Sequence, residues 1–241
     1  HDSYASRNFK GTHRGVKRFE VFARKVTKNY RQSGFVLKCD IRKFFDSIDH
    51  HILLRLIAKK ISDKKLFDLI QRIVGSFETG PCKGLPLGNV TSQIFANIYL
   101  NELDQYIKHM LKARYYIRYC DDFVILAHSN RELEQVLRYI VVLLQERLRL
   151  ELHPNKVTIR KILKGTDFLG YVSLPYYRVL RTKTKNRMYK KITERVALQR
   201  AGKITKEQLD NSLTSYLGIL GHCKGRKIGD RISKWIESLY S

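Results

Sequence analysis

Two adjacent aspartates, Asp121 and Asp122, lie in a segment whose other residues favour a β-sheet. They are flanked by the run Tyr-Tyr-Ile-Arg-Tyr over residues 115–119 and by Phe-Val-Ile-Leu over residues 123–126. Aromatic and β-branched residues are enriched in strands, and two such runs separated by a short polar step are typical of a hairpin. The segment therefore predicts a tight hairpin whose tip carries two neighbouring carboxylates.

A third carboxylate, Asp40, ends a separate apolar run over residues 36–41. Side chains alternate across a strand, so one face of this run is predicted to meet a core. The predicted core-facing residues are Leu37, Cys39 and Ile41, and those on the other face are Val36, Lys38 and Asp40. Taken singly, each Asp is also compatible with a turn residue or a solvated strand end, but the joint pattern is harder to explain in that way.

Carboxylates gathered on neighbouring strands repel one another, and divalent cations with oxygen ligands would neutralise them. Two Mg²⁺ ions held in this way activate an attacking hydroxyl and stabilise a leaving oxygen in phosphoryl transfer. The chain also carries 47 Lys and Arg against 22 Asp and Glu, a formal net charge of +25. Such an excess favours a polyanionic partner. Together these properties indicate a nucleic-acid polymerase or nuclease.

An anionic membrane surface is another possible partner of a basic chain, but no apolar run approaches the roughly 20 residues that span a bilayer. The four cysteines are far apart and lack paired zinc-ligand spacing, which predicts a cytoplasmic protein with reduced thiols. No signal peptide is recognisable, and the start at His1 indicates missing N-terminal residues. His50 and His51 lack the i, i+4 spacing of helical metal ligands and are predicted to lie on the surface.

Helical and strand patterns alternate through the middle of the chain and predict an α+β fold with an antiparallel sheet. Asp49 and Asp63 are predicted to start helices, the second with an apolar stripe formed by Leu66, Leu69, Ile70, Ile73 and Val74. A loop is expected over residues 84–89 and a long amphipathic helix over 133–148. From about Lys183 the sequence becomes basic and helical, which places a domain boundary near residues 178–181.

Four segments in order resemble the motifs of reverse transcriptases. They are residues 39–46 (CDIRKFFD), 84–93 (GLPLGNVTSQ), 119–122 (YCDD) and 168–171 (FLGY). The resemblance runs from about Ser3 to the end of the chain. It implies a right-hand polymerase fold, with fingers and palm over residues 1–178 and a helical basic thumb over residues 179–241.

Within that family the chain is similar to the bacterial retroelement branch. Leu87-Gly88 and Ser92-Gln93 stand where most relatives have Gln-Gly and Ser-Pro, a pattern similar to diversity-generating retroelements. Those enzymes copy a template RNA into cDNA and misincorporate opposite template adenines. Leu87 cannot donate the hydrogen bonds of a Gln, so checking of the nascent base pair could be relaxed, unless Leu87 merely packs.

The resemblance also implies partners: a dedicated structured template RNA, a primer, the cDNA product, dNTPs and a small basic accessory protein. Retron, group II intron-derived and phage-defence reverse transcriptases remain alternatives with the same chemistry. A non-catalytic RNA-binding scaffold is an alternative from another class.

By the same resemblance, Asp40 and Asp121 are metal ligands, with the backbone carbonyl of Ile41 as a further ligand and Asp122 supporting the site. The cofactor is two Mg²⁺ ions, for which Mn²⁺ could substitute. Phe45 matches the steric gate that excludes a ribose 2′-hydroxyl, although the sequence leaves open whether Phe44 or Phe45 faces the nucleotide. Lys156 matches the residue proposed to protonate the pyrophosphate leaving group, and an exposed turn lysine is the alternative.

Three further groups follow from the resemblance. The implied nucleotide-binding residues are Arg7, Lys10, Phe45, Leu87, Gly88 and Gln93. The implied primer grip is Phe168, Leu169, Gly170 and Tyr171. The residues implied to contact the nucleic-acid backbone are Arg178, Arg181, Lys183, Lys185 and Arg187. A generic basic surface or a solvated basic helix is the alternative for the cations in these groups.

Overall fold

The computed structural model describes residues 2–238, which divide into two compact units. Residues up to Ile162 form the first unit, and those from Leu163 onward form the second. The predicted division into fingers and palm followed by thumb was placed later, near residue 178. The structural division falls earlier because the strands after Leu163 form a sheet of their own. Residues 1 and 239–241 of the two predicted domains lie outside the described residues.

The first unit combines six α-helices with a four-stranded sheet among the described residues. The helices are α1 (Thr12–Val26), α2 (Phe44–Ser47), α3 (His50–Ala58), α4 (Lys64–Gly75), α5 (Val90–Gln105) and α6 (Asn130–Leu148). The strands are β1 (Phe35–Asp40), β2 (Tyr115–Tyr119), β3 (Asp122–Ala127) and β4 (Thr158–Lys161). A π-helical turn over Tyr106–Met110 extends α5. No described helix is long and apolar enough to cross a membrane.

The sheet has the order β2-β3-β1-β4, and every neighbouring pair is antiparallel. Strands β2 and β3 pair from Tyr115 opposite Leu126 to Tyr119 opposite Asp122, which leaves Cys120 and Asp121 as the connecting turn. The predicted tight hairpin is thereby confirmed. Strand β1 lies between β3 and β4, so its C-terminal end meets the hairpin tip.

The predicted alternation of β1 is also confirmed. Leu37, Cys39 and Ile41 are buried in the core that the sheet forms with α3, α5 and α6. On the opposite face, α1 contacts β2 and β3, and Val36 is buried there as well. That face is more open at the end where Asp40 lies, because Lys38 and Asp40 are only partly buried.

Side-chain caps start the helices as the sequence predicts. Asp49 Oδ1 accepts a hydrogen bond from Ile52 N at 3.0 Å, and Asp63 Oδ1 accepts one from Leu66 N at 2.8 Å. The predicted apolar stripe of α4 is partly wrong, since Leu66 and Leu69 are 44% and 47% exposed. Helical periodicity alone cannot tell which part of an apolar stripe finds a partner.

The second unit contains an antiparallel sheet and three helices within the described residues. The strands β5 (Thr166–Phe168), β6 (Tyr171–Leu174) and β7 (Tyr177–Leu180) pair in sequence order. The helices are α7 (Thr182–Arg200), α8 (Lys206–Gly221) and α9 (Arg226–Glu237), which confirms the helical texture predicted from about Lys183. Tyr171 Oη donates to the Ile219 carbonyl at 3.2 Å, and Lys224 N donates to the Arg178 carbonyl at 2.8 Å. These bonds join the small sheet to the C-terminal helices.

Candidate active site

The three carboxylates come together where β1 and β3 pair. Asp40 is the last residue of β1 and lies opposite Asp122, the first residue of β3. Asp121 precedes it in the turn, and its carbonyl accepts a hydrogen bond from Ile41 N at 3.3 Å. Directly opposed residues of an antiparallel pair share a face of the sheet. Asp40 and Asp122 therefore lie on the face opposite the main core, with Asp121 beside them at the tip.

Crowding of negative charge in a partly buried place changes the acidity of these groups. Burial raises the pKa of Asp122 to about 6; the Lys38 ammonium acts against this change, and the charges of Asp40 and Asp121 add to it. Burial also raises the pKa of Asp121, with a further contribution from Asp40. Asp122 Oδ1 is buried and has no hydrogen-bond partner among the described residues. The tip therefore favours a positive charge beside it.

Two lysines supply positive charge in this structure. Lys38 Nζ lies 3.5 Å from Asp122 Oδ2, and Lys156 Nζ lies 2.9 Å from Asp40 Oδ1. Lys156 reaches Asp40 because its turn is attached to the end of β1. His153 N donates to the Asp40 carbonyl at 2.8 Å, and Lys156 N donates to the His153 carbonyl at 3.0 Å. Positive charge thus approaches the carboxylates from two sides.

The donor set suits a hard divalent cation. The predicted ligands are two carboxylates and a backbone carbonyl, and Mg²⁺ prefers oxygen ligands. The buried oxygen of Asp122 without a partner agrees with such a site. Within residues 2–238, however, no three His, Cys, Asp or Glu side chains are grouped closely enough to hold a metal ion. Asp40 and Asp122 are instead paired with lysines, which partly offset the charge that a cation would neutralise.

The two phenylalanines after β1 have different environments. Phe44 is buried in the core, whereas Phe45 is only partly buried and packs at its border. Their rings meet edge to face with centroids 5.3 Å apart. Of the two candidates that the sequence left open, Phe45 has the more accessible ring.

The loop before α5 is attached to the segment that carries Phe45. Leu85 N donates to the Phe45 carbonyl at 2.8 Å, and Gly84 N donates to the Ile48 carbonyl at 2.9 Å. The carbonyl of Gly84 lies 2.7 Å from His50 Nε2. His50 is buried, so its predicted surface position is wrong, whereas His51 is exposed as predicted. The Gly84 carbonyl gives the buried imidazole a polar partner, which the sequence does not reveal.

Leu87 and Gly88 lie at the exposed end of this loop. The Leu87 side chain is 75% exposed, which argues against the interpretation that it merely packs inside the protein. Gly88 has φ +96°, a backbone conformation that L side chains rarely adopt. Gln93 lies in the first turns of α5, where its Oε1 accepts a hydrogen bond from Ser6 Oγ at 2.6 Å. The loop and the N-terminal segment thus meet at α5.

Arg7 and Lys10 line two different recesses. Arg7 Nη1 donates to the Ser3 carbonyl at 3.4 Å, and Arg7 lines a cavity of about 460 Å³ beside α5. Lys10 Nζ lies 4.6 Å above the ring of Tyr4, and Lys10 lines a smaller recess of about 320 Å³ beside α1. Their predicted joint role in holding a triphosphate remains a prediction.

The predicted primer grip is a two-residue turn in the second unit. Phe168 and Tyr171 pair across β5 and β6, while Leu169 and Gly170 have φ of 52° and 85°. Two consecutive left-handed residues are typical of the tight turns that match the twist of a hairpin. The carbonyl of Gly170 accepts a hydrogen bond from Arg181 N at 3.0 Å. The turn is thereby attached to the start of α7.

The predicted backbone-binding cations follow this turn. Arg181 Nε lies 2.8 Å from Asp167 Oδ2, so its charge is partly neutralised. Lys183 and Arg187 are exposed on α7, while Arg178 and Lys185 are half-buried. The exposed members are the better placed to meet a phosphate backbone.

The sequence interpretation missed a buried ion pair behind the hairpin tip. Arg118 on β2 binds Asp104 on α5 with two hydrogen bonds, from Nε to Oδ1 at 2.7 Å and from Nη2 to Oδ2 at 2.6 Å. Both side chains are almost wholly buried. The available signal was Arg118, the single charge in the run Tyr-Tyr-Ile-Arg-Tyr over residues 115–119, since buried charges are nearly always paired.

Comparisons with known proteins agree with these observations. Residues 1–173 match a family model described as reverse transcriptase (RNA-dependent DNA polymerase). The group II intron-encoded protein LtrA of Lactococcus lactis is 24% identical over 256 residues, covering 78% of this chain and 40% of LtrA. Protein YkfC of Escherichia coli is 26% identical over 175 residues, covering 57% of this chain and 46% of YkfC. The chain thus spans less than half the length of these two relatives.

A solved structure of apo telomerase from Candida tropicalis, truncated from its C-terminal domain, has the same fold. It superposes with a TM-score of 0.59 at 17% sequence identity, covering 75% of this chain and 41% of the telomerase chain. A second structure of apo telomerase from the same organism gives the same TM-score. The predicted α+β right-hand polymerase fold is confirmed by this likeness.

Proposed function

Because the chain belongs to the reverse transcriptase family, we propose that it is an RNA-directed DNA polymerase that extends a primer 3′-hydroxyl with dNTPs on an RNA template. The observation that carries the proposal is the pairing of Asp40 with Asp122 at the ends of two strands, with Asp121 in the adjoining turn. Lys156 Nζ donates a hydrogen bond to Asp40 Oδ1 beside these carboxylates.

Asp40, Asp121 and the carbonyl of Ile41 would hold the metal ions, and Asp122 would support them from the sheet. When bound, two Mg²⁺ ions, or Mn²⁺ in their place, activate the primer hydroxyl and stabilise the leaving oxygen. Lys156 holds a proton at Nζ close to Asp40 and would donate it to the departing pyrophosphate. The carboxylates thus set where the reacting phosphate lies, and the lysine assists departure.

The substrate would be a dNTP because Phe45 presents its ring at the border of the core beside β1. A 2′-hydroxyl would collide with that ring. Leu87, Gly88 and Gln93 would contact the nascent base pair, and Arg7 and Lys10 would meet the triphosphate by charge. The turn formed by Phe168, Leu169, Gly170 and Tyr171 would contact the 3′ end of the primer in the bound template–primer duplex.

For the biological role, we propose error-prone copying opposite template adenines, as in diversity-generating retroelements. Support comes from Leu87, whose aliphatic side chain is exposed next to Gly88 and cannot form the hydrogen bonds of a glutamine. The role would require a dedicated template RNA and a small basic accessory protein. The named relatives include a group II intron-encoded protein, so an intron-derived role is the second candidate.

Primer extension tests the proposal. The protein is incubated with Mg²⁺, dNTPs and a primed heterologous RNA template, alongside the double variant Asp121→Ala, Asp122→Ala. We expect extension by the wild-type chain, complete loss in the variant, and unchanged RNA affinity in both. Asp68→Ala, which removes an exposed carboxylate on α4, is the matched control and should extend normally. Undiminished synthesis by the double variant would refute the assigned site, and RNA binding without synthesis by the wild type would favour a scaffold.

A further inference from the structure

Arg118, a buried residue of β2, contacts the turn between β2 and β3 from the core side of the sheet. Arg118 lies opposite Phe123 in the pairing of β2 and β3, and Phe123 faces the core. Arg118 is therefore on the face of the sheet opposite to that of Asp40 and Asp122. Its side chain is 1% exposed. This burial leaves almost none of the Arg118 side chain accessible for direct contact with a nucleic acid.

Four hydrogen bonds hold the Arg118 guanidinium. Asp104 accepts two of these hydrogen bonds. Tyr116 Oη donates to Asp104 Oδ1 at 2.7 Å, which fixes the position of the Asp104 carboxylate as well. A planar guanidinium bound in this bidentate way has a defined orientation. Its remaining Nη1 is thereby directed to a defined place.

Nη1 contacts Cys120, the residue directly before Asp121. It donates to the Cys120 carbonyl at 3.1 Å and lies 3.3 Å from Asn97 Oδ1. Cys120 has φ +55°, a left-handed conformation that residues other than glycine adopt only at a cost. The Cys120 carbonyl begins the peptide that leads into Asp121. A bond to that oxygen therefore limits rotation of the peptide on which the Asp121 side chain depends.

We propose that Arg118 is a positioning residue for the polymerase reaction: anchored by Asp104 and Tyr116, it holds the Cys120 carbonyl and so sets the location of Asp121. This inference rests on the proposed function of the carboxylates. The bond from Asn97 Nδ2 to the Ala5 carbonyl at 3.1 Å extends the same network to the N-terminal segment. The hairpin tip is thus held to α5 and to the first residues of the chain.

Arg118→Lys tests the proposal. A lysine keeps a positive charge for Asp104, but it cannot bind both oxygens of that carboxylate and the Cys120 carbonyl. We expect single-turnover incorporation of a dNTP to fall about 10²-fold, the loss typical of a reacting group displaced by about 1 Å. The KM for dNTP and the affinity for primed RNA should stay near their wild-type values. Hydrogen exchange, followed by mass spectrometry without Mg²⁺, should become faster at residues 119–123.

Arg149→Lys is the matched control. Arg149 Nη1 lies 2.8 Å from Asp49 Oδ2, and Asp49 is the N-cap residue of α3. The control makes the same change in another Arg–Asp pair and should leave both the incorporation rate and exchange at residues 119–123 unchanged. If Arg118→Lys does not fold, Asp104→Glu replaces it, because the longer acid keeps the charge pair but moves the guanidinium away from Cys120. That variant should also be slow.

A wild-type incorporation rate in a folded Arg118→Lys or Asp104→Glu chain would overturn the proposal. Unchanged exchange at residues 119–123, or a defect confined to binding of primed RNA, would overturn it as well. If the wild-type chain extends no primer, the proposed function fails. The exchange measurement would still decide whether Arg118 holds the turn.

Discussion

Lys156 Nζ lies 2.9 Å from Asp40 Oδ1 although 116 positions separate the two residues. The backbone bond from His153 N to the Asp40 carbonyl brings the turn of Lys156 to the end of β1. Because about half of the Lys156 side chain is exposed, the pair itself contributes little stability. Its value is expected to lie in keeping a protonated amine beside the carboxylates.

Replacing Lys156 should therefore reduce turnover more than binding. Lys156→Ala is expected to lower kcat for primer extension by about 10²-fold, within the range for a removed general acid. The dNTP KM should change little, since the amine would act on the leaving group. Steady-state extension on a homopolymeric RNA template measures both constants. Lys190→Ala, at an exposed lysine of α7, should match the wild type, and an equal loss in both variants would contradict a specific role.

Stability without metal should depend on pH through Asp122. Its pKa is raised from about 3.8 in the unfolded chain to about 6 in the folded one, mainly by burial. The folded state thus binds the proton more tightly, so this contribution is fully present below about pH 4 and is lost as pH rises through 6. The loss amounts to about 3 kcal/mol. Asp122→Asn should remove this dependence.

Urea unfolding in EDTA at pH 4, 5, 6 and 7 measures the effect. We expect the wild-type free energy of unfolding, relative to that of Asp122→Asn, to decrease across this interval. Asp68→Asn, an exposed carboxylate on α4, should follow the wild type. A wild-type chain that gains stability relative to Asp122→Asn as pH rises would show that Lys38 outweighs burial.

Phe45 and Phe44 offer a matched pair for sugar selectivity. Phe45→Ala should raise kcat/KM for an rNTP relative to the matching dNTP by about 10²-fold, because the ring that meets the 2′-hydroxyl is gone. Phe44→Ala should leave this ratio unchanged and cost about 3–5 kcal/mol of stability, since Phe44 is a buried core residue. Single-nucleotide incorporation and urea unfolding measure the two effects. Altered selectivity in Phe44→Ala alone would reverse the assignment.

Leu87→Gln should make synthesis more accurate opposite template adenine. A glutamine restores hydrogen-bonding capacity at an exposed position next to Gly88, so a misaligned base pair would be rejected more often. We expect misincorporation at adenine to fall about tenfold, as measured by sequencing the cDNA. Val90→Gln, at the exposed first residue of α5, controls for added polarity. Equal error rates in wild type and Leu87→Gln would remove Leu87 as the cause of low fidelity.

Local pattern was sufficient for much of the architecture. Alternation along β1 identified Leu37, Cys39 and Ile41 as core residues, and Asp49 and Asp63 marked helix starts, because these signals act between residues close in the chain. The hairpin around Asp121 and Asp122 followed in the same way. The four sequence motifs, of which this hairpin carries one, also indicated the family.

Partners distant in sequence were decided by the tertiary structure. Three contacts join residues from separate elements. They are the hydrogen bond between His50 and Gly84, the ion pair of Arg118 with Asp104, and the ion pair of Lys156 with Asp40. Leu66 and Leu69 show the same limit, because an apolar stripe does not say whether another element covers it. A sequence by itself determines which residues need a partner, through their periodicity and charge. Only the packed chain decides which partner each one obtains, since burial and pairing depend on contacts that no local interaction specifies.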